Sequence, residues 1–177
     1  MIKYTDILTN KDARDKALAI MEERINTATR GVAYYRNPKA LLDKLIKTWK
    51  FEELLINTYP WLHYIGDDHD GLFEKSDPWN YADVTPDFVR DDGITLDLKV
   101  EFYHMSALIK FNKISSYHNA NLILIFSIQD YLTYPENSGW YLLNKDTGYQ
   151  HIEPVNSIKL DQIAKQIIEI NNKTYID

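Results

Sequence analysis

Asp87, Asp97 and Lys99 are the residues of this chain whose types and spacing could do chemistry together. They fall in TPDFVRDDGITLDLKVEF, residues 85–102, which reads as a β-hairpin. On its second strand Ile94, Leu96, Leu98 and Val100 share one face, and Thr95, Asp97, Lys99 and Glu101 share the other. The turn decides where Asp87 falls. Were Asp92-Gly93 the whole loop, Asp87 would stand opposite Leu98 and point into the core. With Asp91-Asp92-Gly93 as a three-residue loop and Gly93 left-handed, it stands opposite Asp97 on the same face. Burying an unpaired carboxylate is costly, so the three-residue loop is expected.

Two adjacent carboxylates repel and raise one another's pKa unless a cation sits between them. Oxygen-only ligands of this kind suit Mg²⁺, with Mn²⁺ as a substitute; Mg²⁺ binds through one or two carboxylates plus substrate phosphates. A neighbouring lysine can orient or help deprotonate an attacking water and stabilise a developing oxyanion. That is equipment for hydrolysing a phosphodiester.

PDF followed by DLK resembles the signature of the PD-(D/E)xK, or restriction-endonuclease-like, nuclease superfamily. Pro86-Asp87 matches its first element and Asp97-Leu98-Lys99 its second. The resemblance implies a core of a helix, a three-strand meander, a helix and a further strand, which residues 38–128 could supply. It implies a metal-dependent DNA endonuclease in which Asp87 and Asp97 hold Mg²⁺ and Lys99 positions the water. Members of the superfamily often add an acid from the helix before the meander. Glu52 and Glu53 both lie beside the Leu42/Ile46/Trp49 stripe, and Glu53, nearer its centre, is the one expected. Members also often carry a Lys or Gln on the helix after the acid-x-Lys strand; Lys110 and Lys113 are candidates, and either could instead be a solvated face.

Other constellations compete. His63, Asp67, Asp68, His69 and Asp70 cluster, but two histidines six apart across a glycine are not a standard zinc spacing. His104 could reach the mouth of the hairpin site. RGVAYYRNPK, 30–39, sets Arg30, Arg36 and Lys39 around Tyr34 and Tyr35; basic groups interleaved with aromatics can clamp a phosphate backbone and stack bases. Packing of a tyrosine-rich loop is the plainer account. No glycine-rich phosphate loop or nucleophile elbow occurs.

The elements that must position these residues follow from periodicity and caps. Thr9 or Asn10 caps a helix over 11–28 whose stripe is Ala13, Ala17, Leu18, Met21 and Ile25. A second helix over 38–58 starts at Pro38 and turns Leu42, Leu45, Ile46, Trp49 and Ile56 to one side. WLHYI, 61–65, makes a short strand, and the acidic stretch 66–82 an irregular one. A helix over 106–118, with Ser106 as cap, precedes the buried strand NLILIFSI, 121–128. Trp140–Leu143 and Tyr149–Ile152 form a second hairpin across KDTG, and a last helix spans 158–171. The fold class is α/β: a central mixed sheet flanked by helices, a restriction-endonuclease-like core extended by an N-terminal helix and a C-terminal hairpin plus helix.

With 177 residues, 45% of them hydrophobic and 13% aromatic, the chain suits one globular domain, which the resemblance makes a nuclease-like domain over 1–177. No apolar run approaches the roughly 20 residues that span a bilayer, and the first residues lack an apolar signal-type stretch. Cysteine is absent, which excludes disulfides and thiolate metal sites. The expectation is a cytoplasmic protein with no membrane partner. Its net charge of −6 argues against a general polyanion binder. The average hides an asymmetry: residues 24–50 are basic and 51–97 strongly acidic, a balance that suits holding a polyanion and collecting cations. Cutting both strands of DNA would need two sites, so a homodimer is plausible. Two alternatives remain open: a non-catalytic nucleic-acid- or protein-binding module on the same fold, and an acidic inhibitor that mimics DNA.

Overall fold

A computed structural model describes residues 4–27, 37–66, 86–110 and 120–177. Arg30, Arg36, Lys113, His118 and the acid–histidine stretch 67–70 lie outside the described residues. The fold is mixed α/β, built on a six-stranded mixed sheet with helices. The chain divides into two compact units: residues 1–50, 67–84 and 170–177 in one, residues 51–66 and 85–169 in the other.

In the first unit, α1 (Tyr4–Thr9) precedes α2 (Lys11–Thr27). Asn10 separates them because its side chain accepts the N–H groups of Asp12 and Ala13, capping α2. The short α1 goes beyond what periodicity announced. From α3 (Pro38–Thr58), Leu41, Leu42, Ile46 and Trp49 join Tyr4, Ile7, Ala17, Met21 and Ile176 in an apolar cluster. Asp43, buried on α3, ties down the C-terminal residues: it accepts from the N–H groups of Tyr175 and Ile176 and pairs with Lys47 at 3.0 Å.

The second unit holds the sheet. Its strands are β1 (Leu62–Tyr64), β2 (Phe88–Arg90), β3 (Thr95–Glu101), β4 (Leu122–Ser127), β5 (Trp140–Asn144) and β6 (Ile152–Pro154). They lie in that order across the sheet. Strands β1, β2 and β3 form an antiparallel meander, β4 runs parallel to β3, and β5 and β6 return antiparallel. A parallel neighbour needs a crossover, and α4 (Met105–Lys110) lies on it. It starts one residue before Ser106, so Ser106 is not its cap; the Asp130 carboxylate accepts the Met105 N–H instead. Asn121 locks the β3–β4 register, taking the N–H and hydroxyl of Thr95 on one amide oxygen.

The run NLILIFSI divides. Ser127 ends β4 and caps α5 (Ile128–Thr133) by accepting the Asp130 N–H. The helix α6 (Ile158–Asn171) turns Leu160, Ile163, Ala164 and Ile167 inward, and the Trp140 indole N–H donates to the Leu160 carbonyl. Among the described residues no helix is long and apolar enough to cross a membrane.

Candidate functional site

The hairpin between β2 and β3 closes on the expected three-residue loop, which sets Asp87 and Asp97 side by side without sparing them burial. Phe88 faces Leu96 and Val89 faces Thr95, so one step further along Asp87 meets Asp97. The loop is Asp91-Asp92-Gly93: Arg90 N–H donates to Ile94 O at 2.8 Å, Gly93 N–H to Arg90 O at 2.9 Å, and Gly93 has φ +85°. Only a residue without a β-carbon takes that φ at little cost.

Beyond Phe88 the side chains take over the hydrogen bonding. The Asp87 N–H donates to Asp97 Oδ1 at 2.8 Å, and the Leu98 N–H donates to Asp87 Oδ2 at 3.1 Å. The Asp87 carbonyl accepts from Ile65 and Gly66, just past β1. Asp87 is thus held through its amide, carbonyl and carboxylate. Asp97 is buried, at 4% exposure, although its strand neighbours Leu96 and Leu98 point to the opposite face and are buried too. Lys99 follows on the Asp97 face, half-buried, with Glu101 beyond it.

Electrostatics single out Asp87. Burial is the largest cause that pushes its carboxyl well above the usual carboxylate range; the charges of Glu52 and Asp97 add to it, and Lys99 and the Leu98 N–H oppose them. Glu52, buried at 3% exposure on α3, therefore stands within electrostatic reach of Asp87. Glu53, the acid expected there, is partly exposed, whereas its buried neighbour Glu52 is the one whose charge acts on Asp87. Tyr149 also belongs to this neighbourhood. Burial, and after it the charge of Asp97, raises its phenol. It sits in the left-handed region at φ 61°, an unusual conformation for an aromatic residue, and its hydroxyl bonds the Ala120 carbonyl. The strand expected over Tyr149–Ile152 starts only at Ile152, which leaves Tyr149 in the turn between β5 and β6, so its strand pattern did not announce this role.

Of the basic candidates among the described residues, Lys39 is exposed near the start of α3, in the first unit, and Lys110 is exposed at the end of α4. His63 pairs with Asp91 at the hairpin loop, on an exposed surface. His104 pairs with Asp130 instead, in a network described below.

The donor set around Asp87 and Asp97 is oxygen-only, the chemistry that hard divalent cations take. Among the described residues no three acids or histidines crowd one point closely enough to cage a cation by themselves. Mg²⁺ does not require such a cage, because water and substrate phosphates complete its octahedron. Burial first, and after it the charges of Glu52 and Asp97, hold the Asp87 carboxyl high, and those neighbouring acids gather the negative charge that a divalent cation would offset. In those terms the residues fit the ion.

No protein-family model and no curated protein matches this chain.

Proposed function

We propose that this protein is a metal-dependent phosphodiester hydrolase acting on nucleic acid, a DNA endonuclease of PD-(D/E)xK type. The observation that carries the proposal is the side-by-side placement of Asp87 and Asp97, the Asp97 carboxylate accepting the Asp87 N–H and the Asp87 carboxylate the Leu98 N–H, with Lys99 on the same face and Glu52 charging the same spot. The order helix, meander, helix, parallel strand from α3 to β4 is the order expected of a restriction-endonuclease-like core.

In this reading Asp87 and Asp97 hold Mg²⁺, or Mn²⁺ in its place. When bound, the ion supplies positive charge to a phosphate oxygen and acidity to a water. Lys99 holds the attacking water by hydrogen bonding and offsets the negative charge that grows on the phosphate. Glu52, rather than Glu53, adds negative charge beside Asp87 that a bound cation would offset. Protein on both faces of the sheet at Asp97 limits the water that competes for these contacts.

The test is nicking of supercoiled plasmid in Mg²⁺ or Mn²⁺ by wild type, Asp97→Asn and Lys99→Ala. Metal-dependent cutting that both variants lose supports the proposal. No cutting by wild type on plasmid, single-stranded or branched DNA, or RNA would refute it and leave the binding module as the reading to pursue.

A further inference from the structure

The end of β3 carries a second constellation that the hydrolase chemistry does not use. Strands β3 and β4 stop together, Glu101 opposite Ser127. The segments that leave them are stitched by four hydrogen bonds. Gln129 N–H donates to Phe102 O at 3.1 Å and the Ser127 hydroxyl to Tyr103 O at 2.8 Å. The Asp130 carboxylate takes His104 Nδ1 at 2.7 Å and the Met105 N–H at 3.2 Å. Asp130 is buried, and the Tyr141 hydroxyl donates to it at 2.6 Å while accepting from Asn137. The purpose of so many bonds to one buried carboxylate is legible in what they hold.

They hold rings at the surface. Phe102, Tyr103 and Tyr134 are 54, 53 and 46% exposed, an uncommon display for large aromatics. The Phe102 and Tyr103 rings lie 5.7 Å apart, and Tyr134 lies 5.7 Å from the imidazole of His104. With Nδ1 spent on Asp130, the imidazole is fixed in tautomer and direction, and Nε2 is its remaining polar atom. Ring faces arranged around one polar anchor suit planar ligands that also carry hydrogen-bonding groups.

We propose that Phe102, Tyr103, His104 and Tyr134 form a binding site for unpaired nucleotides, on whose bases the rings stack while His104 contacts a phosphate or a base edge. This rests on the hydrolase reading for its choice of ligand. Strand β3 joins the two places: Asp97 and Phe102 are five residues apart, roughly 17 Å of extended chain, which a few nucleotides can span. Ligands of open α/β sheets also gather beyond the carboxyl ends of parallel strands, where this patch lies. Stacking on aromatics is tolerant of sequence because every base has a π-face. The site therefore selects substrates with a single-stranded segment, such as flaps, overhangs or junctions, over uninterrupted duplex.

The test measures binding without cleavage. Fluorescence anisotropy of labelled oligothymidylate, and of a blunt duplex, is followed in EDTA with the full chain and its Phe102→Ala, Tyr134→Ala and His104→Asn variants. Asparagine keeps a donor toward Asp130 but removes the outward nitrogen. Phe102→Ala and Tyr134→Ala should each weaken oligothymidylate binding by about five- to tenfold, the lower part of the range for losing one stacked base, His104→Asn by about fivefold for one lost hydrogen bond, and all three should leave duplex binding and melting temperature unchanged. If wild type fails to bind the oligonucleotide, or all variants bind it equally, the proposal is overturned. It is also overturned if the variants change self-association by sedimentation and leave oligonucleotide binding alone. Ring-dependent binding in a protein that cuts nothing in Mg²⁺ or Mn²⁺ would keep this site and sink the hydrolase; metal-dependent cutting with ring-independent binding would do the reverse.

Discussion

Asp87 and Asp97 each serve the backbone beside the other: the Asp97 carboxylate accepts the Asp87 N–H at 2.8 Å, and the Asp87 carboxylate accepts the N–H of Leu98, next to Asp97, at 3.1 Å. The pair is thereby both a candidate cation site and a structural clasp. Substitutions there have to be chosen so that the two roles separate.

Asp97→Asn retains an oxygen for the Asp87 N–H, whereas Asp97→Ala leaves that amide without its acceptor. The alanine variant should lose about 1–3 kcal/mol of stability, the cost of an orphaned partly buried donor, and the asparagine variant much less. Urea denaturation distinguishes them. Equal stability of the two would mean that the hydrogen bond contributes nothing.

Asp87 links the site to pH. Its folded-state pKa is raised, so the folded protein binds more protons than the unfolded chain above the ordinary carboxylate range. Stability from this group is therefore fully present at acid pH and is lost as pH rises through the folded value. Metal-free wild type should melt progressively lower across that rise, and Asp87→Asn should not show this component. Millimolar Mg²⁺ should restore the wild type at the high-pH end. Differential scanning calorimetry across pH, with and without the ion, checks all three outcomes.

Glu52→Gln and Glu53→Gln differ by one position and should differ sharply in effect. The buried Glu52 charges the Asp87 site, so its replacement should reduce metal-dependent cutting by at least about tenfold, within the range of a lost charged contact. Glu53→Gln should cut like wild type. Initial rates of plasmid nicking decide between them.

Tyr141 is buried, and burial together with the Asp130 hydrogen bond pushes its phenol up to about 12. Burial alone would raise Asp130 as well, but the hydrogen bonds from Tyr141 and His104 and the Met105 N–H outweigh it and hold its carboxyl below the usual range. Tyr141→Phe removes one donor from a buried charge and should cost about 1.5–3 kcal/mol. The same linkage makes the Asp130 contribution present above the unfolded carboxylate range and lost as pH falls through the folded value. Chemical denaturation of the variant at pH 7 and at pH 3 should show the difference between the two proteins shrinking in acid.

Gly93→Ala tests the hairpin. No atom lies within 4 Å of where a β-carbon would sit, so the cost is the φ of +85° alone. About 1–2 kcal/mol is expected for an L-residue forced into that region. Gly93→Asn should lose less, since asparagine tolerates left-handed geometry better.

The Asp87–Asp97–Lys99 arrangement was legible in residues 85–102 because a hairpin is a local object. Its register follows from one turn, its faces follow from a period of two, and a misplaced carboxylate has a clear cost. The spans of α3 and α6 were legible for a similar reason, each carrying an apolar stripe of helical period with a proline start or a clean end. Glu52 against Glu53 was not, because neighbouring helix positions point about 100° apart and the choice depends on how α3 rotates against the sheet. Likewise α5 went unannounced: it starts at Ile128, the last residue of the expected strand, where the hydroxyl of Ser127 caps it, and continues to Thr133. Tyr149 reaches Asp97 from 52 positions along the chain, and His104 reaches Asp130 from 26. Such meetings depend on the order in which six strands pair, and pairing order is settled by the packing of the whole sheet, which no local pattern of residues encodes.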